Sequence, residues 1–343
     1  MNELRWGVIG CGAVVERKSG PSIAQAGRSR IVAVMRRDAE KARPFAQAHA
    51  VTLVTAEARA VIQHPEVNIV YVATPPSSHL EYVLAAAAAH KHVLVEKPMG
   101  LSTGEARRMI AACEEAGVHL FVAYYRRFWP HVQKMRELLG AGRVGRPVLA
   151  CLSLAAPRRP VQQDNWRDNV AVSGGGYFVD VGSHRLDTLI FLMGAVEEVT
   201  GVAAIDAASR LEEAVALSLR FRTGALGAVT ADYRSGRWQD RLEIVGTAGA
   251  LVSDPLDSQK FELRTTSETE EFSFTPCAAP HLGLIRHIES VLLDGVRSES
   301  SGLDGLQTEI ILDKAVREAT RSSGTPGCAT TCERALAPGA RPN

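Results

Sequence analysis

From Arg5 to Ala123 short apolar runs alternate with amphipathic stretches in a regular rhythm. The runs are Arg5 to Ile9, Ile31 to Met35, Val51 to Val54, Ile69 to Ala73, Val93 to Val95 and Leu120 to Ala123. They are continuously apolar, as expected for strands buried on both faces of a parallel sheet. Helical stretches are expected between them at Lys41 to His49 (behind Asp38 as N-cap), Ala58 to Gln63, Ser77 to His90 and Thr103 to Ala116. The helix after the first run is expected to be short, because Gly20-Pro21 interrupts it. This alternation predicts an α/β, doubly wound parallel sheet of Rossmann type, with its ligand crevice at the carboxyl ends of the strands.

The texture changes after about Tyr125. A linking helix is expected at Pro130 to Leu139. Period-two alternation then marks Val148 to Leu154, Glu213 to Phe221, Ala225 to Tyr233 and Asp240 to Val245, with Thr223-Gly224 as a hairpin signal. These predict a large, mostly antiparallel open sheet in an α+β domain. Helices are expected again at Leu282 to Leu293 and Leu306 to Ala319. The implied domains are residues 1–124 and 125–320, followed by a turn-rich, disordered tail at 321–343.

With 343 residues the chain is long enough for two domains, and its 39 basic residues balance 38 acidic ones. No basic surplus points to nucleic acid or an anionic membrane. The longest apolar stretch, Tyr82 to Ala89, is far short of a membrane span, and no cleavable leader pattern opens the chain, so a cytoplasmic protein is expected. The six cysteines read as reduced core residues, and Cys328 and Cys332 lack companions for a metal site.

Four segments carry candidate chemistry. Gly10-Cys11-Gly12-Ala13 follows the first strand, where a side-chain-free backbone can approach a pyrophosphate at a helix N-terminus; Val15 stands where a small residue is usual. The second strand ends in Arg36-Arg37-Asp38, and two guanidinium groups suit a 2′-phosphate, so NADP is expected, with NAD as the alternative through Asp38. Thr74 and Pro75 turn the chain at the crevice, and His79 either touches the cofactor or faces solvent. Glu96-Lys97-Pro98 ends the fifth strand, where a lysine can reach a reacting oxygen. The fourth segment is Gly174-Gly175-Gly176, expected to present bare main chain to a flat ligand. Beyond it Asp180, His184 and Asp187 share one helix face, and Val181, Leu189 and Phe191 anchor the other.

These motifs occur in the order found in the Gfo/Idh/MocA oxidoreductases, which the chain resembles from Arg5 to about Ala319. The resemblance implies an enzyme that transfers hydride between NAD(P) and a hydroxyl or carbonyl of a sugar, cyclitol or related polyol. It implies that Lys97 and His184 flank the reacting carbinol, either of them serving as proton acceptor, with Asp180 binding a neighbouring hydroxyl or orienting the site. It further implies Arg126 and Tyr177 on the substrate side, Trp166 and Arg167 near the nicotinamide, no metal, and a homodimer or homotetramer formed through the C-terminal sheet. Lys18, beside the Gly20-Pro21 break, is a further candidate for the cofactor phosphates. Two rival functions use the same scaffold: a catalytically silent NADP-binding sensor, and a glycoside hydrolase that uses tightly held NAD. Oxidation of an imine or dihydrodiol is a variant of the first chemistry.

Overall fold

The computed structural model describes residues 2–157, 160–162 and 165–317; the tail expected at 321–343 lies outside them. Six strands, β1 (Leu4–Ile9), β2 (Ser29–Met35), β3 (Leu53–Thr55), β4 (Ile69–Val72), β5 (His92–Val95) and β6 (Leu120–Val122), pair in the order β3-β2-β1-β4-β5-β6. Every pairing is parallel. The order reverses beside β1, which opens a crevice at the ends of β1 and β4. Helices cover both faces, so residues such as Val8, Val70 and Leu94 have no exposed surface.

Eight more strands form the second sheet: β7 (Pro147–Ala155), β8 (Val196–Ile205), β9 (Glu212–Phe221), β10 (Leu226–Asp232), β11 (Gln239–Gly246), β12 (Gly249–Ser253), β13 (Lys260–Thr265) and β14 (Thr269–Ser273). Their order is β14-β13-β12-β11-β7-β10-β9-β8. Only the central β10–β7 pair is parallel. One face buries Leu217, Leu219, Val229 and Leu242 under the helices Pro130–Gly140 and Ser183–Met193, and the other is open. The sequence reading missed β8, β12, β13 and β14. β8 carries Gly201, whose added β-carbon would lie 2.3 Å from the Ala216 carbonyl, and β14 is an exposed edge with two adjacent glutamates. Neither shows clean alternation.

Packing does not follow chain order. The late helix Leu282–Asp294 places Leu284, Ile285 and Ile288 in the core that contains Trp6 and Val8 of the first sheet. Its Glu289 accepts from Arg28 N (2.9 Å) and Ser29 Oγ (2.7 Å).

Gly20-Pro21 does not break the first helix, contrary to expectation. Val15–Ser19 forms a π-turn, closed by Gly20 N–H on the Val15 carbonyl, and Gly20–Gln25 continues as α-helix. Widening the turn absorbs the missing proline N–H. Ser22 Oγ then donates to the Lys18 carbonyl at 2.7 Å. Gly20 is required here because an added β-carbon would sit 2.5 Å from the Phe45 ring.

A buried ion pair ties the sheets together. Glu309 accepts from Met99 N (2.6 Å) just after β5, and from Arg317 Nη1 (2.8 Å). Arg317 also donates to the Gly100 carbonyl (2.9 Å) and to the Gly174 carbonyl (3.3 Å). Removing one partner strands the other charge in low dielectric, so Glu309→Ala should lower unfolding free energy by about 3–5 kcal/mol. Urea midpoints check this, and Glu309→Met with Arg317→Leu should recover much of the loss.

Candidate active site

The loop after β1 brings backbone to the crevice. Gly10 adopts φ +95°, and a β-carbon there would lie 2.8 Å from the Ala73 backbone. At Gly12 an added β-carbon would meet nothing nearer than the Gly10 carbonyl at 3.9 Å, so space is left above the loop at the first turn of the helix. Ala13 and Val14 line that space. Unpaired N–H groups of a helix start suit an anion, so these residues fit a dinucleotide pyrophosphate.

That space belongs to a cavity of about 360 Å³ whose wall also includes Thr74, Glu96, Lys97, Trp166, Asp180 and His184. Lys97 Nζ donates to Asp180 Oδ1 at 2.7 Å and to the Asp180 carbonyl at 2.6 Å. Arg167 Nε donates to Asp180 Oδ2 at 3.1 Å, and its guanidinium lies 4.4 Å from the Trp166 ring centroid. Burial raises the Asp180 pKa, but Lys97 and Arg167 together outweigh it and hold the carboxyl below its ordinary value. His184 is buried, with Nδ1 lacking a partner among the described residues and Tyr125 edge-on at 4.9 Å. Burial drives its pKa well below 6.5, and the cations Lys97, Arg126, Arg185 and Lys18 push it the same way. The imidazole is therefore neutral at physiological pH.

Asp180 and His184 both reach the cavity, across a second π-turn at Phe178–Gly182. Asp187, on the regular helix that follows, does not line the cavity and takes a buried ion pair with Arg127 (2.9 Å). Val181, expected on the anchoring face, lines the cavity instead. Phe191 is only half-buried, beneath the Arg136 guanidinium at 4.5 Å.

The triple glycine presents no main chain to the central cavity. Glu212 fills it, accepting from Gly176 N (2.6 Å) and Val179 N (2.9 Å). A β-carbon on Gly176 would press on that carboxylate at 3.1 Å, which explains the small residue. His79 neither touches the crevice nor faces solvent. It is fully buried, its ring nitrogens meeting the Thr74 carbonyl (2.8 Å) and the Met99 carbonyl (3.3 Å), so it braces the turns at both strand ends. Pro75 holds the extended conformation that begins the turn. Glu96 accepts from Tyr71 Oη at 2.5 Å, and burial raises its pKa.

Arg36 is tied to Glu16 at 2.7 Å, whereas Arg37 is exposed and Asp38 pairs with Lys41 at 3.2 Å. Tyr177 lies outside the central cavity, in two adjoining ones. Arg126 lines the central cavity and the neighbour that also holds Tyr177, and pairs with Asp257 at 2.9 Å. Lys18 reaches the central cavity, its Nζ 5.6 Å above the Tyr125 ring.

Two models of one family match most of the chain. Residues 4–124 match the GFO_IDH_MocA oxidoreductase family with an NAD-binding Rossmann fold, and residues 132–252 match the GFO/IDH/MocA C-terminal domain. The chain belongs to the Gfo/Idh/MocA oxidoreductase family. Among relatives of this oxidoreductase, Oxidoreductase P35 of Formosa agariphila is 36% identical over 255 residues, covering 73% of this chain and 79% of that protein. The 1,5-anhydro-D-fructose reductase of Ensifer adhaerens is 30% identical, covering 75% and 77%. The solved aldose-aldose oxidoreductase from Caulobacter crescentus, complexed with glycerol, superposes with TM-score 0.83 at 25% identity, covering 94% and 98%.

His281 and Arg185 were not found from sequence. His281 precedes the late helix and enters the cavity wall fully buried, with both ring nitrogens unpartnered among the described residues. Nothing local marks it, since a distant strand order brings it there. Burial pushes His79 down to about 4 and His281 to about 3. Below about pH 6.5 the unfolded chain takes up protons that these histidines refuse, so stability falls with acidification until their folded values are reached. Each contributes at most about 1.4 kcal/mol per pH unit in that window. Asp187, raised to about 6 by burial, opposes with one proton. Urea midpoints at pH 6.5 and 5 should show the drop, and His281→Gln should flatten it.

Proposed function

We propose that this protein is an NADP(H)-dependent oxidoreductase that interconverts a hydroxyl and a carbonyl on a sugar, cyclitol or related polyol. As a member of its family it is an NAD(P)-dependent enzyme acting on CH–OH groups. The observation that carries the reading is the meeting of Lys97 and Asp180 at 2.7 Å, with His184, on one cavity wall beside the Gly10–Gly12 loop.

Gly10, Gly12 and Ala13 would hold the pyrophosphate, Thr74 and Pro75 would border the ring, and Trp166 and Arg167 would cover it. Bound nicotinamide would supply or take up hydride. His184, kept neutral, accepts the carbinol proton at Nε2, the nitrogen left toward the cavity. Lys97 keeps two donor contacts on Asp180 and offers its remaining N–H to the same oxygen, stabilising the developing charge. Asp180 fixes Lys97, and Arg167 fixes Asp180. Exchange of roles, with Lys97 delivering the proton, uses the same contacts in reduction.

NADP is favoured because Arg37, exposed and without a partner among the described residues, can meet a 2′-phosphate, while Asp38 is engaged by Lys41. Buried free Cys11 and Cys113 fit a reducing, cytoplasmic setting, and no helix among the described residues is long and apolar enough to cross a membrane. The open face of the second sheet carries the small residues Cys151, Ser153, Ala216, Ser218, Ala228 and Thr230 beside the ion pair Arg241–Glu243, a surface on which a second copy could pack.

Lys97→Ala and His184→Ala should each lower turnover by ~10²–10⁴-fold in a nicotinamide absorbance assay over a polyol panel. Wild-type rates in either variant would remove that residue from the chemistry. The acid limb for oxidation should fall below pH 6.5, because His184 titrates low. Arg37→Ala should weaken NADPH binding by ~10-fold and leave NADH nearly unaffected, read by fluorescence quenching. A silent sensor would change no absorbance, and a hydrolase would retain NAD through purification.

A further inference from the structure

The central cavity opens beside a larger one, of about 500 Å³, and Arg126, Val181 and Arg185 form part of both walls. The central cavity must take the reacting ring together with the nicotinamide, so the second is left for another part of the substrate.

Its chemistry is neutral and specific. Arg185 donates to Asp240 Oδ1 at 3.0 Å and Oδ2 at 2.8 Å, and to Asp257 Oδ2 at 2.9 Å. Arg126 also pairs with Asp257. Asp254 is paired with Arg241 at 3.4 Å, so the three aspartates of the wall (Asp240, Asp254 and Asp257) are balanced by three arginines, while Arg185 Nη1 keeps an N–H without a partner among the described residues. With each charge balanced, the wall offers no surplus cation to a diphosphate or carboxylate tail, so a nucleotide-linked sugar or sugar acid is disfavoured. Carboxylates pinned by arginine keep lone pairs that accept from hydroxyl groups.

Two further features point to a ligand. Tyr233 is 8% exposed and lines the cavity, yet its hydroxyl has no partner among the described residues. Its ring packs edge-on against Tyr177 at 4.8 Å. Trp238, at the cavity rim, is 75% exposed, an unusual position for a side chain of this apolar area. A pyranose presents apolar C–H faces and a hydroxyl rim, which match an indole plane beside fixed carboxylates.

We propose that the second cavity is a subsite for a second, uncharged sugar ring, so that the substrate class is a neutral disaccharide or glycoside. The inference rests on the sugar oxidoreductase reading above. In the reaction the ring in the central cavity loses one hydride to the nicotinamide and one proton to the site, and the glycosidic bond stays intact. The ring in the second cavity is bound but unchanged.

The test compares glucose-containing disaccharides, methyl and phenyl glycosides, and matched free hexoses, with NADP and with NAD. The full chain is used, in wild-type, Trp238→Ala and Tyr233→Phe forms. The disaccharide kcat/KM should exceed that of the matched hexose by ~10-fold or more, and this ratio should fall by ~10-fold in each variant. Tryptophan fluorescence titration gives a second readout that needs no turnover: disaccharides should quench the wild type and act far more weakly on Trp238→Ala. Quenching by disaccharides without oxidation would keep the subsite and end the dehydrogenase reading. Equal kcat/KM for hexoses and disaccharides, unchanged in ratio by the variants, would end the subsite and keep the dehydrogenase. A nucleotide sugar preferred over every neutral glycoside would also overturn it.

Discussion

Lys97 and Asp180 lie 83 residues apart, at the end of a parallel strand and in the turn before a helix of the second domain, yet their side chains meet at 2.7 Å. The contact is mostly buried, with side-chain exposures of 12% and 27%, so water does little to screen it. Such a pair is useful only if the two backbones are held in register. Glu309 and Arg317 supply that register from beneath, joining the main chain after β5 to the main chain at Gly174. Glu212 does the same from the other side, by satisfying the N–H groups that begin the helix carrying His184. Buried charge is expensive, and here each charge is matched by hydrogen bonds that fix one segment against another.

Both π-turns border the cavity, and each aims a charged side chain at it. The turn at Val15–Ser19 carries Lys18, and the turn at Phe178–Gly182 carries Asp180. The first turn is explained by Pro21, and the Ser22 hydroxyl ties the following helix back to the Lys18 carbonyl. The second is supported by tight packing, since a β-carbon on Gly182 would meet the Phe178 ring at 2.4 Å. Local irregularity in these helices is thus tied to the site, as is common for π-turns.

The site was legible where chemistry and strand position coincide. Gly10 and Gly12 follow β1, and Lys97 follows β5, so a parallel sheet carries them to one edge whatever the rest of the chain does. It was illegible where a residue acts through a distant partner. His79 looked like a crevice residue because it begins a helix at a strand end, but its ring turns inward to two carbonyls. The triple glycine looked like a ligand platform because the carboxylate that needs it, Glu212, is 36 residues away. Asp187 looked like a third member of the acid/base face because it follows His184 by three residues; its partner, Arg127, is 60 residues earlier.

By itself the sequence determined the two kinds of sheet, the order of the first six strands' motifs and the set of groups able to move a proton, because periodicity and strand-end position are local properties. Tertiary structure alone decided which of those groups share a cavity, that His184 is neutral, and that Arg126, Arg185 and Trp238 border a second space. Those outcomes depend on burial and on charges contributed by remote segments, which no window of neighbouring residues contains.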